Sequence, residues 1–438
     1  MVWHILKYWV SFLLPTFYKR IQGKNLHNIK VKGPVIIAMN HPNAFTDPIL
    51  MTYLTSPLRL KYLARGDAFK PGVVSWLLEQ IGIVPIFRIQ DGGKEGLKKN
   101  DEAYRRVNYL LKRNSKIIVF AEGLCIQERR LRPLKKGIAR MVFGAWEALD
   151  NDKLVVLPVG VNYSQPDKFR STAFYNVGEP IPVKDFIAEY KENPARANNT
   201  LLQALEPKMK ALITHIDNKE NDEVVYMAED LCKREMLKSQ GLSYKNLAHD
   251  YAVVKQITER VNNAAIGNQM LLDGFKVKAR EYFTALRKNK LRDWIIDPSQ
   301  NNEVSAPFFA LRFLFMAITF PFYLTGIIGN ITPLLLSDKL AKKIVKNKEF
   351  YSSFALALGM LLFLINYLLW FFISYAFSPD VLWPVGICAA LALCGGFSLY
   401  YHVFMLKTFG VFRALRHKEI IKRFSIQRAE LLSLINKF

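Results

Sequence analysis

The chain has 438 residues, of which 51% are hydrophobic and 13% aromatic, and its 61 Lys and Arg against 37 Asp and Glu leave a formal charge of +24. That apolar content excludes a disordered chain, and 23 Gly with 20 Pro excludes a collagen-like or low-complexity one. An excess of positive charge suits nucleic acid or an anionic membrane surface, and the crowding of apolar residues toward the C-terminus selects the membrane.

Residues 1–24 carry four basic side chains and no acid. Trp3, Ile5, Leu6, Trp9 and Leu13 surround a narrow polar stripe of His4, Lys7 and Ser11 at helical spacing. Lys7 interrupts the apolar run, Pro15 ends it and no small-residue cleavage motif follows. The segment therefore reads as an amphipathic helix lying in the lipid headgroups rather than as a signal peptide.

From residue 25 to 197 short β-branched runs alternate with helical stretches. Val35–Met39, Leu60–Leu63, Ile83–Phe87, Lys116–Phe120 and Leu154–Val161 read as strands, while Gly72–Ile81 and Glu102–Arg113 read as helices. Strands separated by helices imply βαβ units, hence an α/β domain with a mainly parallel sheet flanked by helices. Residues 198–300 differ: no proline lies between Pro207 and Pro298, and amphipathic periods predict a helical appendage without a chemical motif.

Residues 301–438 read as an α-helical membrane region. Three uncharged runs, Phe313–Ser337, Ser353–Phe377 and Pro384–Leu406, are each long enough to span a bilayer. Pro321, Gly326, Gly329, Asn330 and Pro333 interrupt the first. Five lysines between Lys339 and Lys348 precede the second run, and seven basic residues from Lys407 to Arg428 follow the third. The turn between these two runs, Ser378–Trp383, has no basic residue. Basic flanks stay in the cytoplasm. The expectation is a re-entrant segment at 313–337, transmembrane helices at 353–377 and 384–406, and a cytoplasmic catalytic domain on the inner cell membrane.

Chemistry concentrates at the strand ends. Asn40-His41-Pro42 follows the first strand, with Asp47 six residues after the histidine, a spacing that suits a general base and a carboxylate holding its ring. Arg88 ends another strand and suits bidentate phosphate binding. Glu122 and Gly123 follow Phe120, and Lys135-Lys136-Gly137 opens a helix whose first N–H groups favour an anion. Open α/β sheets bind ligands at the C-terminal ends of their strands. Cys125, Cys232, Cys388 and Cys394 form no CxxC pair, and no two histidines are four apart, so neither a metal site nor a cofactor is expected.

These blocks resemble the PlsC-like glycerolipid acyltransferases, a family that includes lysophosphatidic acid acyltransferases. The resemblance covers about residues 30–185. It rests on Asn40, His41 and Asp47; on Gly82 to Arg88; on Phe120, Glu122 and Gly123 with Lys135 to Gly137; and on Val156, Pro158 and Val159. Tyr62 to Lys70 also looks like the family's second strand and loop. Three features depart from the family pattern. Five residues separate His41 from Asp47 where four are usual, Ala121 replaces a proline, and Leu124-Cys125 stands in place of Thr-Arg. Arg129, Arg130 or Arg132 is the candidate replacement for that arginine.

The resemblance implies a membrane-bound O-acyltransferase of phospholipid biosynthesis. His41 and Asp47 would be catalytic, and Asn40, Arg88, Glu122, Gly123, Lys135, Lys136 and Gly137 would bind substrate. The donor would be acyl-ACP or acyl-CoA, and the acceptor 1-acyl-glycerol 3-phosphate. Glycerol 3-phosphate and an N-acyl amino acid stay open as acceptors, as does a non-catalytic protein that binds anionic lipid. Expected partners are membrane lipids and acyl carrier protein. The basic residues are spread over helix faces and juxtamembrane segments with no aromatic platform, so no nucleic-acid partner is expected.

Overall fold

The computed structural model describes residues 11, 13–65, 82–86, 102–149, 152–297 and 306–438. The expected helix Gly72–Ile81, the segment 1–10, the loop 66–70 and Arg88 lie outside the described residues. The chain divides into two compact units, one of residues 1–215 with 347–353, the other of residues 216–346 with 354–438.

The first unit is a mixed sheet with helices on its faces. Its strands are β1 (Arg20–Lys24), β2 (Val35–Met39), β3 (Leu60–Arg65), β4 (Ile83–Ile86), β5 (Lys116–Phe120), β6 (Val155–Tyr163), β7 (Thr172–Val177) and β8 (Ile181–Pro182). The order across the sheet is β1-β7-β6-β2-β5-β3-β4, with β8 paired to β6. Strands β6, β2, β5, β3 and β4 are mutually parallel, whereas β7 runs antiparallel to β6 and parallel to β1. The mainly parallel sheet is therefore present. Every residue of β2 is buried, as a central strand covered on both faces requires.

Four helices of this unit are α1 (Thr46–Thr55), α2 (residues 102–112), α3 (Lys136–Leu149) and α5 (Pro194–Ala211), with the short α4 (Ile187–Glu192) before the last. Helix α3 buries Ile138, Met141, Val142 and Ala145, an i, i+3, i+4, i+7 stripe that packs in the same core as Ile36, Ile117 and Val156. Two boundaries differ from expectation. Residues 20–24, assigned to an N-terminal helix, form the edge strand β1, whose register with β7 pairs Gln22 with Phe174. The domain also continues past residue 197, because Leu201, Leu205 and Met209 of α5 complete its core.

The second unit holds α6 (Asp222–Ser239), α7 (Leu247–Gly267), α8 (Gln269–Lys288), α9 (Asp293–Ile296), α10 (Ala306–Ile344), most of α11 (Lys348–Phe377), α12 (Leu382–Arg416) and α13 (Lys418–Ile435). Phe424, Leu431 and Ile435 of α13 share one core with Leu231, Ile257, Phe275 and Tyr282. Within it the buried Arg428 donates to Asp293 at 3.1 Å and to the Leu231 carbonyl at 2.7 Å. The C-terminal segment assigned to the membrane region thus belongs with the helical appendage.

Helices α10, α11 and α12 are each long and apolar enough to cross a membrane. The re-entrant return expected within 313–337 is corrected here: Ala306–Ile344 is one continuous helix containing Pro321 and Pro333. Pro333 has no N–H to give the Gly329 carbonyl four residues back. Asn366 of α11 donates to that carbonyl instead, at 2.8 Å. Asn330 also ties α10 to the Leu391 carbonyl of α12 at 3.0 Å. At Gly326 the two backbones approach so closely that Cys394 leaves no room for a Cβ.

Candidate active site

Strands β2 and β5 are adjacent and in register, with Met39 opposite Phe120, so the residues that follow each strand meet. His41 stacks on the Phe120 ring with centroids 3.5 Å apart and planes 13° from parallel. Its Nδ1 lies 2.8 Å from Asp47 Oδ2. Five residues separate His41 from Asp47. Within this turn Ala44 takes a φ of +24° and donates its N–H to Cys125 Sγ at 3.0 Å. Burial and the nearby Asp47 carboxylate push the Cys125 thiol far above its ordinary value, so it stays a neutral acceptor.

Asp47 is fully buried at the start of α1, and both its carboxylate oxygens are held. The Asn43 N–H donates to Oδ2 at 2.8 Å and the Tyr163 hydroxyl donates to Oδ1 at 2.7 Å. Tyr175 donates to the Asp47 carbonyl at 2.9 Å. Burial, then the Asp47 charge, raises the Tyr163 and Tyr175 phenols well above their usual value, which keeps them as donors. With Nδ1 committed to the carboxylate, His41 has Nε2 left to accept a proton. This is the arrangement of a general base and its orienting acid.

Glu122, expected among the substrate-binding residues, is buried and holds backbone. Its Oε1 accepts the His41 N–H at 3.3 Å and its Oε2 accepts the Arg132 N–H at 3.0 Å. Burial lifts its carboxyl from 4.5 to about 6, against the two backbone N–H donors. Between those values the folded protein keeps a proton that the unfolded chain has lost, so this group makes stability fall as pH rises through the window. Glu122→Gln removes the titration. Thermal melting should therefore show the wild type losing stability relative to the variant, by about 2 kcal/mol, between pH 4.5 and 6.5. A wild type that gains on the variant over this range would refute the assignment.

Asn40 also differs from expectation. It is buried, and its amide is paired twice with Val161, donating to the carbonyl at 3.1 Å and accepting the N–H at 2.7 Å. It fastens the His41 turn to β6. Lys135, Lys136 and Gly137 are exposed around the start of α3. Gly123 has a φ of +67°, and a Cβ there would come within 3.1 Å of the Lys135 stem, so that lysine runs beside the Glu122–Gly123 turn. Arg130 and Arg132 pair with Glu128 at 3.2 and 2.8 Å, and Arg129 donates to the Ser164 carbonyl at 3.2 Å. Among the described residues no cluster of His, Cys, Asp or Glu could hold a metal ion.

Several residues of the site carry no sequence signal. Tyr163 and Tyr175 are brought together by the antiparallel pairing of β6 with β7. Asn43 sits within the recognised turn, and its Nδ2 donates to the Pro166 carbonyl at 3.0 Å. Ser352 and Ser353, at the opening of α11, also reach this turn.

Residues 20–162 match the family model Acyltransferase. Glycerol-3-phosphate O-acyltransferase 1 of Saccharomyces cerevisiae is 34% identical over 110 residues, which is 25% of this chain and 14% of that protein. Glycerol-3-phosphate O-acyltransferase 2 of the same yeast is 35% identical over 107 residues, 24% of this chain and again 14% of that protein. The chloroplastic 1-acyl-sn-glycerol-3-phosphate acyltransferase BAT2 of Brassica napus is 27% identical over 134 residues, 30% of this chain and 36% of that one. The chain thus matches about one seventh of the length of the yeast relatives. The crystal structure of PlsC, the 1-acyl-sn-glycerophosphate acyltransferase of Thermotoga maritima, aligns over 47% of this chain and 78% of that one, at 17% identity and a TM-score of 0.33. Residues 20–162 thus match the Acyltransferase family model and are similar to curated glycerol-3-phosphate and 1-acyl-sn-glycerol-3-phosphate acyltransferases.

Proposed function

We propose that the chain is a membrane-bound O-acyltransferase that moves an acyl group from an acyl thioester, acyl-ACP or acyl-CoA, to the free hydroxyl of 1-acyl-glycerol 3-phosphate. The observation that carries this reading is the 2.8 Å contact between His41 Nδ1 and a buried, doubly held Asp47. In this reaction Nε2 of His41 takes the acceptor's hydroxyl proton as its oxygen attacks the thioester carbonyl. The C–S bond then breaks, and the departing thiolate takes up the proton. The forming imidazolium is stabilised by the Asp47 carboxylate. The turn itself offers no serine or cysteine nucleophile, which favours direct transfer over an acyl-enzyme.

The acceptor's phosphate is assigned to Arg88, Lys135 and Lys136, with the first N–H groups of α3. Arg88→Ala and Lys136→Ala should each raise the apparent KM for the phosphorylated acceptor more than that for the acyl donor. Purified protein assayed with both donors against 1-acyl-glycerol 3-phosphate, glycerol 3-phosphate and an N-acyl amino acid tests the reading. Equal effects on both substrates would remove the phosphate assignment, and transfer only to the N-acyl amino acid would replace the acceptor class. Glycerol 3-phosphate is the second reading, favoured by the names of the two yeast relatives.

The catalytic domain is assigned to the cytoplasmic face of the inner membrane. Because α13 shares a core with α6–α9, these segments lie on one side of the bilayer. An even number of crossings then separates Asp297 from Lys418, although three helices qualify by length. Single cysteines at Lys238 and Lys422 in a cysteine-free background should both be shielded from an impermeant thiol reagent in intact cells. Both should react after permeabilisation. Labelling of one without the other would contradict the even count.

A further inference from the structure

Helix α11 is strongly apolar over most of its length, yet its first turns carry two adjacent buried serines. Ser352 is fully buried and Ser353 is 6% exposed. The segment Asn347–Ser353 belongs to the same compact unit as the His41 turn. Ser353 Oγ accepts the Thr46 N–H at 3.1 Å and lies 2.9 Å from the Thr46 hydroxyl, although 307 residues separate the two in sequence. The Ser352 hydroxyl donates to the Asn43 side-chain carbonyl. Phe350 packs edge-on against Phe45, with centroids 6.0 Å apart, and Gln127 donates to the Lys348 carbonyl at 3.1 Å.

These contacts fall on the stretch that links His41 to Asp47. Asn43 supplies the N–H that holds Asp47 Oδ2, Ala44 takes a positive φ, and Thr46 immediately precedes Asp47. An alanine at φ near +24° is an unfavourable conformation that persists only when its surroundings impose it. Cys125 fixes the turn from one side, at the Ala44 N–H. The two serines fix it at Asn43 and Thr46, on either side of that strained residue. Buried hydroxyls are also costly without partners, and here the partners are the turn itself.

We propose that Ser352 and Ser353 are positioning residues for acyl transfer, which hold the enlarged His41–Asp47 turn in its productive shape. The catalytic geometry is thereby completed by a segment far downstream of the matched acyltransferase domain. This inference rests on the acyl-transfer reading for its kinetic arm but not for its structural arm. Displacement of a catalytic group by about 1 Å costs up to about 100-fold in rate. Ser353→Ala should accordingly lower kcat about 10- to 100-fold while leaving KM for donor and acceptor within about twofold.

The test uses the full chain in lipid nanodiscs, with S353A, S352A and S353T. S353T retains the hydroxyl and should recover most of the rate. Hydrogen exchange supplies the second readout: peptides covering residues 41–50 should exchange faster in S353A and S352A, with β2, β5 and β6 unchanged. A kcat and an exchange pattern equal to wild type would overturn the proposal, as would a change in KM alone. Faster exchange throughout the unit would also overturn it, since that marks a merely structural role. If the wild type transfers no acyl group, the acyl-transfer reading fails, and the exchange in residues 41–50 still decides whether the serines hold the turn.

Discussion

His41→Ala is expected to lower kcat for acyl transfer by about 10²–10⁴-fold, the usual contribution of a positioned general base. The fold should survive the change. The imidazole touches the Phe120 ring and the Asp47 carboxylate, and that carboxylate keeps the Asn43 N–H and the Tyr163 hydroxyl when the ring is gone. Truncation therefore leaves no buried charge without donors. KM for both substrates should change little, because the proton is taken in the transition state and not on binding. Steady-state kinetics on the purified variant, with thermal melting as the control for folding, checks this. A kcat within tenfold of wild type would remove His41 from the chemistry.

Asp47→Asn should reduce kcat by about 10²–10⁴-fold, and for a different reason. The Asn43 N–H faces Oδ2 and accepts nothing, so it selects the rotamer in which the new amide places its oxygen toward His41. The amide nitrogen then meets the Tyr163 hydroxyl, which can turn to accept and donate onward to Tyr175, 3.3 Å away. The ring orientation is kept, but the negative charge that stabilises the imidazolium is lost. Asp47→Ala is the harsher change. It orphans the buried Asn43 N–H and Tyr163 hydroxyl, at about 1–3 kcal/mol each. A normal melting temperature with a collapsed kcat in the asparagine variant, and a lowered melting temperature in the alanine variant, would separate charge from packing. Wild-type turnover in Asp47→Asn would mean that another group orients His41.

Much of this site was readable because its signals are local. The pairing of His41 with Asp47 depends on one turn and the first residues of one helix. His41 and Glu122 each follow a β-branched run that reads as a strand of a parallel sheet, with ligands at the C-terminal ends, but only the sheet order places the two strands side by side. Glu122 was found as a position but not as a role. Sequence assigns a carboxylate to a strand end, whereas only the coordinates place the His41 and Arg132 N–H groups on its two oxygens. The pairing of Asn40 with Val161 is hidden for the same reason: an exposed and a buried asparagine look alike until β6 is laid beside β2.

Periodicity, charge and breaker residues determined the α/β class, the helical appendage and the apolar helices, because each depends on contacts within a few residues. The tertiary structure alone decided where the long-range hydrogen bonds go. Pro321 and Pro333 signal a broken helix in any one-dimensional reading. Helix α10 runs through Pro333 because Asn366, on the next helix, supplies the donor that the proline cannot. Arg428 reads as a solvated charge on a basic tail until Asp293 and the Leu231 carbonyl close around it. Ser352 and Ser353 read as the polar end of an apolar helix until Asn43 and Thr46 meet them. A hydrogen bond between residues 307 apart leaves no pattern in the sequence around either of them, since its donor and acceptor types are ordinary and only the packed fold brings them within 3 Å or so of each other.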